Sequence, residues 1–316
     1  FYTFYRAFHR TPGVEHMAHN IPNVRMWDDH ELPGDNWDHT IAQANSSGGA
    51  INPNVTLQSE VDAIFATGQT AFESYSLCNP SNGDNPTNEA PFMADAAASA
   101  YHAKYFRVTL GNTEYFVTDC ITHRGPVGAA TRTAETLADA DARMLGDNQR
   151  LWLTTKLAAS TATNKIVVST KKTYVNNDDN ADTWDEIGSG STWPGFITER
   201  DTLLTIIDLT VTGCSFIAGD RHAFSVINQS SARGEARDHV CIVACPLGEN
   251  QVNSQGAGFN DNVVAVGENS NYGICEGKSD RMSHSVVNTS GKTVWNGEVL
   301  STDNKLYYEP VNIGLA

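Results

Sequence analysis

The chain has 316 residues, of which 40% are hydrophobic and 9% aromatic, so it can bury a full core as one large domain or two smaller ones. Its formal net charge of −16 excludes a general affinity for nucleic acid or for an anionic membrane surface. No apolar run approaches the roughly 20 residues that a membrane-spanning helix needs.

The first half of the chain combines helical, extended and turn-rich segments. Helices repeat their apolar residues every three to four positions, whereas half-buried strands repeat them at every second position. In chain order, the pattern predicts a helix over 1–20 that breaks at Pro12, a buried strand over Val24–Trp27, a helix over 61–72, a surface insertion over 76–98, and a β-hairpin of 105–110 and 114–120 around Gly111.

The second half begins with helices and strands in alternation and ends in strands. Its pattern predicts a helix over 145–159 with Leu151, Leu153 and Leu157 facing the core, a buried strand over 166–169, a polar loop over 174–195, a helix over 199–209, an apolar strand over 213–218, and short strands over 240–316 with a hairpin at 288–291. This order predicts an α/β fold whose sheet is finished by antiparallel strands.

The six cysteines show no CxxC pair and no zinc-like spacing. Cys214 and Cys241 lie in apolar, strand-like runs, which favours buried thiols. One or two disulfides remain an alternative, because spacing does not determine which cysteines pair.

Two apolar strands end abruptly in aspartate and histidine, at residues 27–31 and at residues 219–222. In open α/β sheets, ligands gather beyond the carboxyl ends of the strands, where such side chains meet. Aspartate and histidine together offer oxygen and nitrogen ligands to a cation. One such ending is more often a turn. Two endings leave a turn and a metal site as equal alternatives, because the three acids of the first repel each other unless they are paired or metal-bound.

The stretch Met-Trp-Asp-Asp-His-Glu at residues 26–31 resembles the signature of the PhoD-type alkaline phosphatase/phosphodiesterase family, a branch of the calcineurin-like metallophosphoesterases. Other segments resemble that family in the same order, so the resemblance covers most of the chain. These segments are residues 4–8, 21–22, 118–124, 144–153, 182–184, 199–200 and 219–222. The resemblance implies a four-layer α/β/β/α sandwich of the metallophosphoesterase type with a β-rich carboxyl-terminal portion.

The resemblance also implies a two-metal site. Asp29 takes the place of a metal-binding residue, and Asp220 and His222 stand where the superfamily supplies two further ligands. His30 takes the place of the catalytic histidine, which would stabilise developing charge or protonate the leaving oxygen. The metals would activate a water and clamp the phosphoryl oxygens. Arg124 would hold a phosphate oxygen as a second catalytic residue, with a structural salt bridge as its alternative role.

Four further residues are expected to support the site or to contact the substrate. Asp28 and Glu31 would orient histidines rather than bind metal directly. Asn36 resembles the asparagine that follows the family signature and would add a neutral contact near the phosphate. Asp119 lies in the segment over 118–124 that resembles the family.

The implied cofactors are two divalent or trivalent metal ions, calcium and iron, with other divalent metals left open. The expected partner is a phosphate mono- or diester as substrate, and neither a nucleic-acid scaffold nor a membrane span is expected. The expected location is extracellular, periplasmic, surface-associated or virion-associated; the enzyme would act outside the cell in phosphate scavenging, and the virion belongs to the structural alternative.

The sequence departs from the family pattern on its amino-terminal side. The family's early ligand and its bridging aspartate have no counterpart in residues 1–26, where Glu15 is the one acid, and Ile121 stands where the family has an arginine. Residues 1–316 are therefore expected to form a single, N-terminally incomplete domain with 76–98 as an insertion and 240–316 as its β-rich end. Such a chain would be a fragment of a phosphoesterase, and by itself it is expected to be a weak phosphatase or none. The alternative is a non-catalytic structural protein of a filament, cell surface or virion, with assembly partners.

Overall fold

A computed structural model describes residues 7, 10–20, 25–26, 28–32, 41, 55–75, 104–125, 143–171, 173, 196–219, 224–228, 240–243, 263–267, 271–288 and 290–308. The predicted insertion over 76–98 and the predicted polar loop over 174–195 lie outside these residues.

The predicted helices over 61–72, 145–159 and 199–209 are confirmed. Within the described residues, none of the helices is long and apolar enough to cross a membrane. The helices with described bounds are α1 (Pro12–Asn20), α2 (Gln58–Tyr75), α3 (Asp147–Ala159) and α4 (Ile197–Thr210), together with the short 3-10 helix Asp29–Glu31.

A seven-stranded mixed sheet forms the centre of the fold. Its strands lie in the order β1-β2-β3-β4-β6-β5-β7, and β2, β3, β4 and β6 are parallel, so their carboxyl ends share one edge. The predicted hairpin is confirmed, since Leu110 pairs with Thr113 across Gly111, whose φ is 62°. The strands are β1 (Phe106–Leu110), β2 (Thr113–Val117), β3 (Asn164–Ser169), β4 (Cys214–Ala218), β5 (Phe224–Asn228), β6 (Val240–Val243) and β7 (Val263–Gly267).

A four-stranded antiparallel sheet follows in the order β11-β10-β9-β8. The hairpin predicted at 288–291 is confirmed as the link between β9 and β10, where Asn288 Oδ1 accepts the N–H groups of Ser290 at 3.1 Å and Lys292 at 3.0 Å. The strands are β8 (Asn271–Gly277), β9 (Arg281–Asn288), β10 (Thr293–Leu300) and β11 (Leu306–Tyr307).

Apolar burial arranges these elements in layers. One cluster packs α3 and α4 against one face of the seven-stranded sheet, with Leu153, Leu204 and Phe216 among its members. A second cluster joins the other face to the four-stranded sheet through Ile242 of β6 and Trp295 of β10. The α/β class with a β-rich carboxyl-terminal part is therefore confirmed, and the described residues supply three of the four predicted layers.

Two local predictions are wrong. Arg25 and Met26 belong to no strand, because Met26 packs on the face of the sheet against Phe106 and Val117 instead of pairing at its edge. Leu151 is 67% exposed, whereas Leu153 and Leu157 of the same helix are buried. In α3, Leu151 lies two residues before Leu153 and so points away from the core-facing side.

Four of the cysteines are free thiols in the described part of the chain, namely Cys120, Cys214, Cys241 and Cys275. Cys214 and Cys241 are fully buried, as the sequence favoured.

The amino-terminal ends of β3 and β4 are fastened to the four-stranded sheet and its end by amide side chains. Asn112 and Asn164 both donate to the Lys278 carbonyl, at 2.6 and 2.9 Å. Asn304 accepts the Cys214 N–H at 2.9 Å and donates to the Val211 carbonyl at 3.1 Å. The bonds of Asn304 are buried, that of Asn164 is partly buried and that of Asn112 is exposed, and together they close one end of the sandwich.

Candidate functional site

The carboxyl ends of β2, β3 and β4 form the edge at which the sequence places its candidate residues. β2 leads into Asp119, β3 leads into Lys171, and β4 leads into Gly219. The strands are in parallel register, so these ends lie side by side.

A buried ion pair joins this edge to the 3-10 helix. Lys171 Nζ lies 3.0 Å from Asp29 Oδ2 and 3.6 Å from Asp28 Oδ1. The side chains of Asp29 and Lys171 are completely buried, whereas that of Asp28 is 21% exposed. Little water screens the interaction, so the ammonium and the Asp29 carboxylate neutralise each other directly.

Backbone bonds and one leucine hold the 3-10 helix in place. The Asp28 N–H donates to Glu31 Oε2 at 2.8 Å, and the Leu32 N–H donates to the Asp29 carbonyl at 2.7 Å. Leu32 is buried in a cluster that contains Phe65 of α2. The leucine thus anchors the short helix against α2 while the aspartates meet the lysine.

Glu31 is less acidic than an ordinary glutamate. Burial, reinforced by the charges of Asp28 and Asp29, raises its pKa to about 8, although the Asp28 N–H opposes the rise. The carboxyl group therefore keeps its proton at neutral pH, and the stretch carries less negative charge than its sequence indicates.

Asp119 organises the turn that follows β2. Its Oδ1 accepts the N–H groups of Ile121 and Thr122, both at 2.9 Å, and its Oδ2 accepts the Lys104 N–H and the Thr122 hydroxyl, both at 2.6 Å. Gln149 of α3 accepts the Asp119 N–H at 2.7 Å. Both carboxylate oxygens thus engage protein donors, so Asp119 shapes the turn.

Arg124 ends this turn and is only 2% exposed. Its guanidinium carbon lies 5.9 Å from the centre of the Phe196 ring, within the range of a cation–π interaction. The predicted contact of Arg124 with a phosphate oxygen stays a prediction.

Three segments that resemble the phosphatase family form one hydrogen-bonded unit beneath the edge. Glu199 Oε2 accepts the N–H groups of Met144 at 2.6 Å and Leu145 at 3.1 Å, which joins residues 199–200 to residues 144–149. Gln149 then reaches Asp119, whose carbonyl accepts its Nε2–H at 2.8 Å. Burial raises the pKa of Glu199 to about 7.

A cavity of about 370 Å³ opens at the same edge, between the two sheets. Its walls are mainly apolar, and Asp28 is the acidic residue in its lining. Gly219, which directly precedes Asp220 in the sequence, also lines it. The lining comprises Met26, Asp28, Val168, Ser169, Thr170, Ile217, Ala218, Gly219, Ile242, Gly273, Ile274, Cys275, His284 and Ser285.

A short hydrogen-bonded chain connects Cys275 and His284, which line this cavity, to Ser215 of β4. Cys275 Sγ lies 3.2 Å from His284 Nδ1, and Ser215 Oγ lies 3.2 Å from His284 Nε2. Burial lowers the pKa of His284 to about 4 and raises that of Cys275 to about 12. Both groups are therefore neutral at pH 7, and the wall presents no activated thiolate.

Several predicted site residues lie wholly or partly outside the described residues. His30 lies in the 3-10 helix, but its side chain is not among those described. Asn36, Asp220 and His222 lie outside entirely. Of the predicted residues, the structure brings together Asp28, Asp29 and Glu31.

The described donors do not by themselves fit a metal ion. Asp29 offers hard oxygen ligands of the kind that Ca²⁺ takes, but the Lys171 ammonium already lies against one of them. Among the described residues, no group of three or more histidine, cysteine, aspartate or glutamate side chains is placed to hold a metal. The two predicted ions therefore depend on residues such as Asp220 and His222.

A family model described as PhoD-like phosphatase matches residues 1–298. The chain belongs to the PhoD-like phosphatase family. Members of this family are generally metal-dependent phosphoesterases. No curated protein matches the chain by sequence.

Two solved structures are similar to this member of the PhoD-like family. One, described as the structure of PhoD, has a TM-score of 0.60 and 16% identity, and the match covers 91% of this chain and 54% of that one. This likeness confirms the fold. The other, described as GAP50, the anchor in the inner membrane complex of Plasmodium, has a TM-score of 0.38 and 13% identity over 63% of this chain and 54% of that one. The chain spans about half the length of these structures.

Lys171 is the residue of this site that the sequence analysis missed. Thr170, Lys171 and Lys172 directly follow a buried strand, which is the same signal that drew attention to the aspartate and histidine endings. Acids and histidines at strand ends point to a metal site, whereas a lysine in the same position supplies the countercharge to Asp29.

Proposed function

We propose that the chain is a phosphoesterase of the PhoD type that hydrolyses phosphate mono- or diesters with metal ions, calcium and iron, as cofactors. The observation that carries the proposal is the family match over residues 1–298. The cavity at the carboxyl ends of the parallel strands supports it, because α/β sheets bind their ligands there.

The proposed reaction assigns roles to residues of this chain. Water attacks phosphorus in line and loses a proton to solvent, the ester P–O bond breaks, and the leaving oxygen takes a proton from His30, which solvent then reprotonates. Arg124 holds a non-bridging oxygen of the phosphoryl group. Asp220 and His222 are proposed as metal ligands, and Asn36 as a neutral contact to the phosphate. An extracellular, periplasmic or surface location is part of the proposal.

The test is hydrolysis of a chromogenic phosphate monoester and diester by the full chain with added Ca²⁺ and iron. We expect His30→Ala to lower kcat/KM by about 10² to 10⁴, the usual contribution of a general acid. His16→Ala is the matched control, because His16 is an exposed histidine of α1, and it should keep full activity. Turnover that survives His30→Ala would remove His30 from the proposal.

A second candidate function is a non-catalytic structural or surface-assembly protein on the same scaffold. The Asp29–Lys171 ion pair favours it, since the ammonium lies against Asp29, where a metal ion was expected. The absence of both bound metal and His30-dependent turnover in the folded wild-type chain would decide for this candidate.

A further inference from the structure

The backbone of Lys171 is held in place by its position next to β3 and by hydrogen bonds. Lys171 comes two residues after the end of β3, and its carbonyl accepts the Ser169 hydroxyl at 2.6 Å. Ser169 in turn lies 3.4 Å from the thiol of Cys120, next to Asp119. The turn after β3 thus contacts the turn after β2, and these contacts hold the backbone from which the lysine side chain extends.

Its ammonium lies in the place that a bound cation would take. It is completely buried, 3.0 Å from Asp29 and 3.6 Å from Asp28, so it faces two carboxylates from adjacent residues. A buried ammonium stays charged only where acids of this kind surround it. A divalent ion on Asp29 would lie within a few ångströms of that ammonium, and little water would screen the repulsion between them.

We propose that Lys171 is the resident cation of Asp29, and that Asp29 therefore holds no metal ion in this chain. The inference rests on the proposed function only because it says which cation lies at the proposed metal site. Asp29 then serves to hold Lys171 and the 3-10 helix, and any metal at this edge is bound by other residues.

The proposal predicts how a variant that lacks the Lys171 ammonium binds metal. Without the ammonium, the Asp28 and Asp29 carboxylates would offer two hard oxygen ligands without the countercharge of Lys171. Such a pair suits a hard divalent ion such as Ca²⁺ or Mn²⁺. Removing the lysine charge therefore creates a divalent cation site that the wild-type chain does not have.

The first experiment measures metal binding without changing Lys171. Mn²⁺ bound per chain is determined by equilibrium dialysis and electron paramagnetic resonance for the wild type and for Asp29→Asn. We expect the same number of bound ions in both proteins. Loss of an ion in Asp29→Asn, or a Mn²⁺ peak on Asp29 in anomalous diffraction from wild-type crystals, would overturn the proposal.

The second experiment removes the lysine charge. Lys171→Met should bind at least one more Mn²⁺ per chain than the wild type, and the double variant Lys171→Met/Asp29→Asn should lose it again. Lys171→Arg, which keeps the charge, and Lys292→Met, at an exposed hairpin lysine, should bind as the wild type does. No additional ion in folded Lys171→Met would refute the proposal. Should Lys171→Met fail to fold, the first experiment decides.

These readouts separate the proposal from the proposed function. Hydrolysis that depends on His30, together with loss of an ion in Asp29→Asn, would support the proposed phosphoesterase function and refute the proposal that Lys171 is the cation of Asp29. An inactive wild type with an added ion in Lys171→Met would do the reverse.

Discussion

Single side chains at the carboxyl edge have different roles although their residue types are similar. Asp29 neutralises a lysine, Glu31 keeps a proton, and Asp119 is saturated by protein donors. The chemistry of an acid in this protein is therefore set by the donors around it rather than by its place in an acidic stretch.

Asp119→Asn tests the role of Asp119 in the turn after β2. The amide would keep one acceptor oxygen but turn its NH₂ group towards backbone N–H donors, so we expect a loss of about 2–4 kcal/mol in the free energy of unfolding. Urea denaturation measures it as a lower midpoint at an unchanged slope. Asp147→Asn is the control, because that side chain is 54% exposed and its ion pairs are worth less than about 1 kcal/mol. Equal losses in both variants would contradict the assignment.

His284 makes stability depend on pH in a defined window. Its pKa falls from 6.5 in the unfolded chain to about 4 in the fold, because burial disfavours the charged form. Stability is complete above pH 6.5 and is lost as pH falls through about 4, since the unfolded chain takes up the proton first. Between pH 7.5 and pH 5, the free energy of unfolding of the wild type should fall by about 2 kcal/mol more than that of His284→Gln.

Denaturation curves at pH 7.5 and pH 5 measure this difference. The exposed His16→Gln should retain the wild-type pH dependence. A His284→Gln variant with an unchanged acid loss would show that His284 takes up its proton in the folded protein as readily as in the unfolded chain.

At the scale of elements, tight turns decide how the two sheets meet. Gly213 enters β4 with a φ of 66°, and its N–H donates to the Asp303 carbonyl at 3.1 Å. A Cβ atom at this position would lie 2.6 Å from the Thr163 carbonyl oxygen and 3.0 Å from Ser301 Cα. Both neighbours are backbone atoms, so they cannot move aside as a flexible side chain would.

Gly213→Ala should therefore lower the free energy of unfolding by roughly 2–4 kcal/mol. Gly111→Ala separates the two causes, because Gly111 also has a positive φ of 62° but no heavy atom within 4 Å of the added Cβ. It should lose only the roughly 1–2 kcal/mol of the left-handed conformation. Thermal or urea unfolding compares the two, and similar losses would show that the steric contact is relieved.

Elements were also the level at which the sequence was most informative. The helices around Phe65 and Leu204 and the hairpin at Gly111 follow from apolar spacing and glycine, which act locally. The ion pair of Asp29 with Lys171 joins residues far apart in sequence, so only the parallel topology brings them together. The strand predicted at Met26 is wrong because a short apolar run has the same sequence pattern whether its residues pair at a sheet edge or pack on a sheet face.

At the scale of the whole molecule, charge governs the choice of partners. The net charge of −16 repels polyanions overall at low salt. We therefore expect no retardation of duplex or single-stranded DNA in a gel-shift assay, even at low ionic strength where basic proteins bind it strongly. A salt-sensitive complex with DNA would reveal a basic surface among residues outside those described.

The hydrogen bonds of three asparagine side chains close one end of the sandwich, and their position determines where substitutions can be tolerated. Asn112, Asn164 and Asn304 fasten the amino-terminal ends of the strands, whereas the cavity and the ion pair lie at the other ends of the same strands. Substitutions in the loops beyond β3 and β4 leave those bonds intact. Changes of side chains at the cavity can therefore leave the packing of the two sheets at the opposite end unchanged.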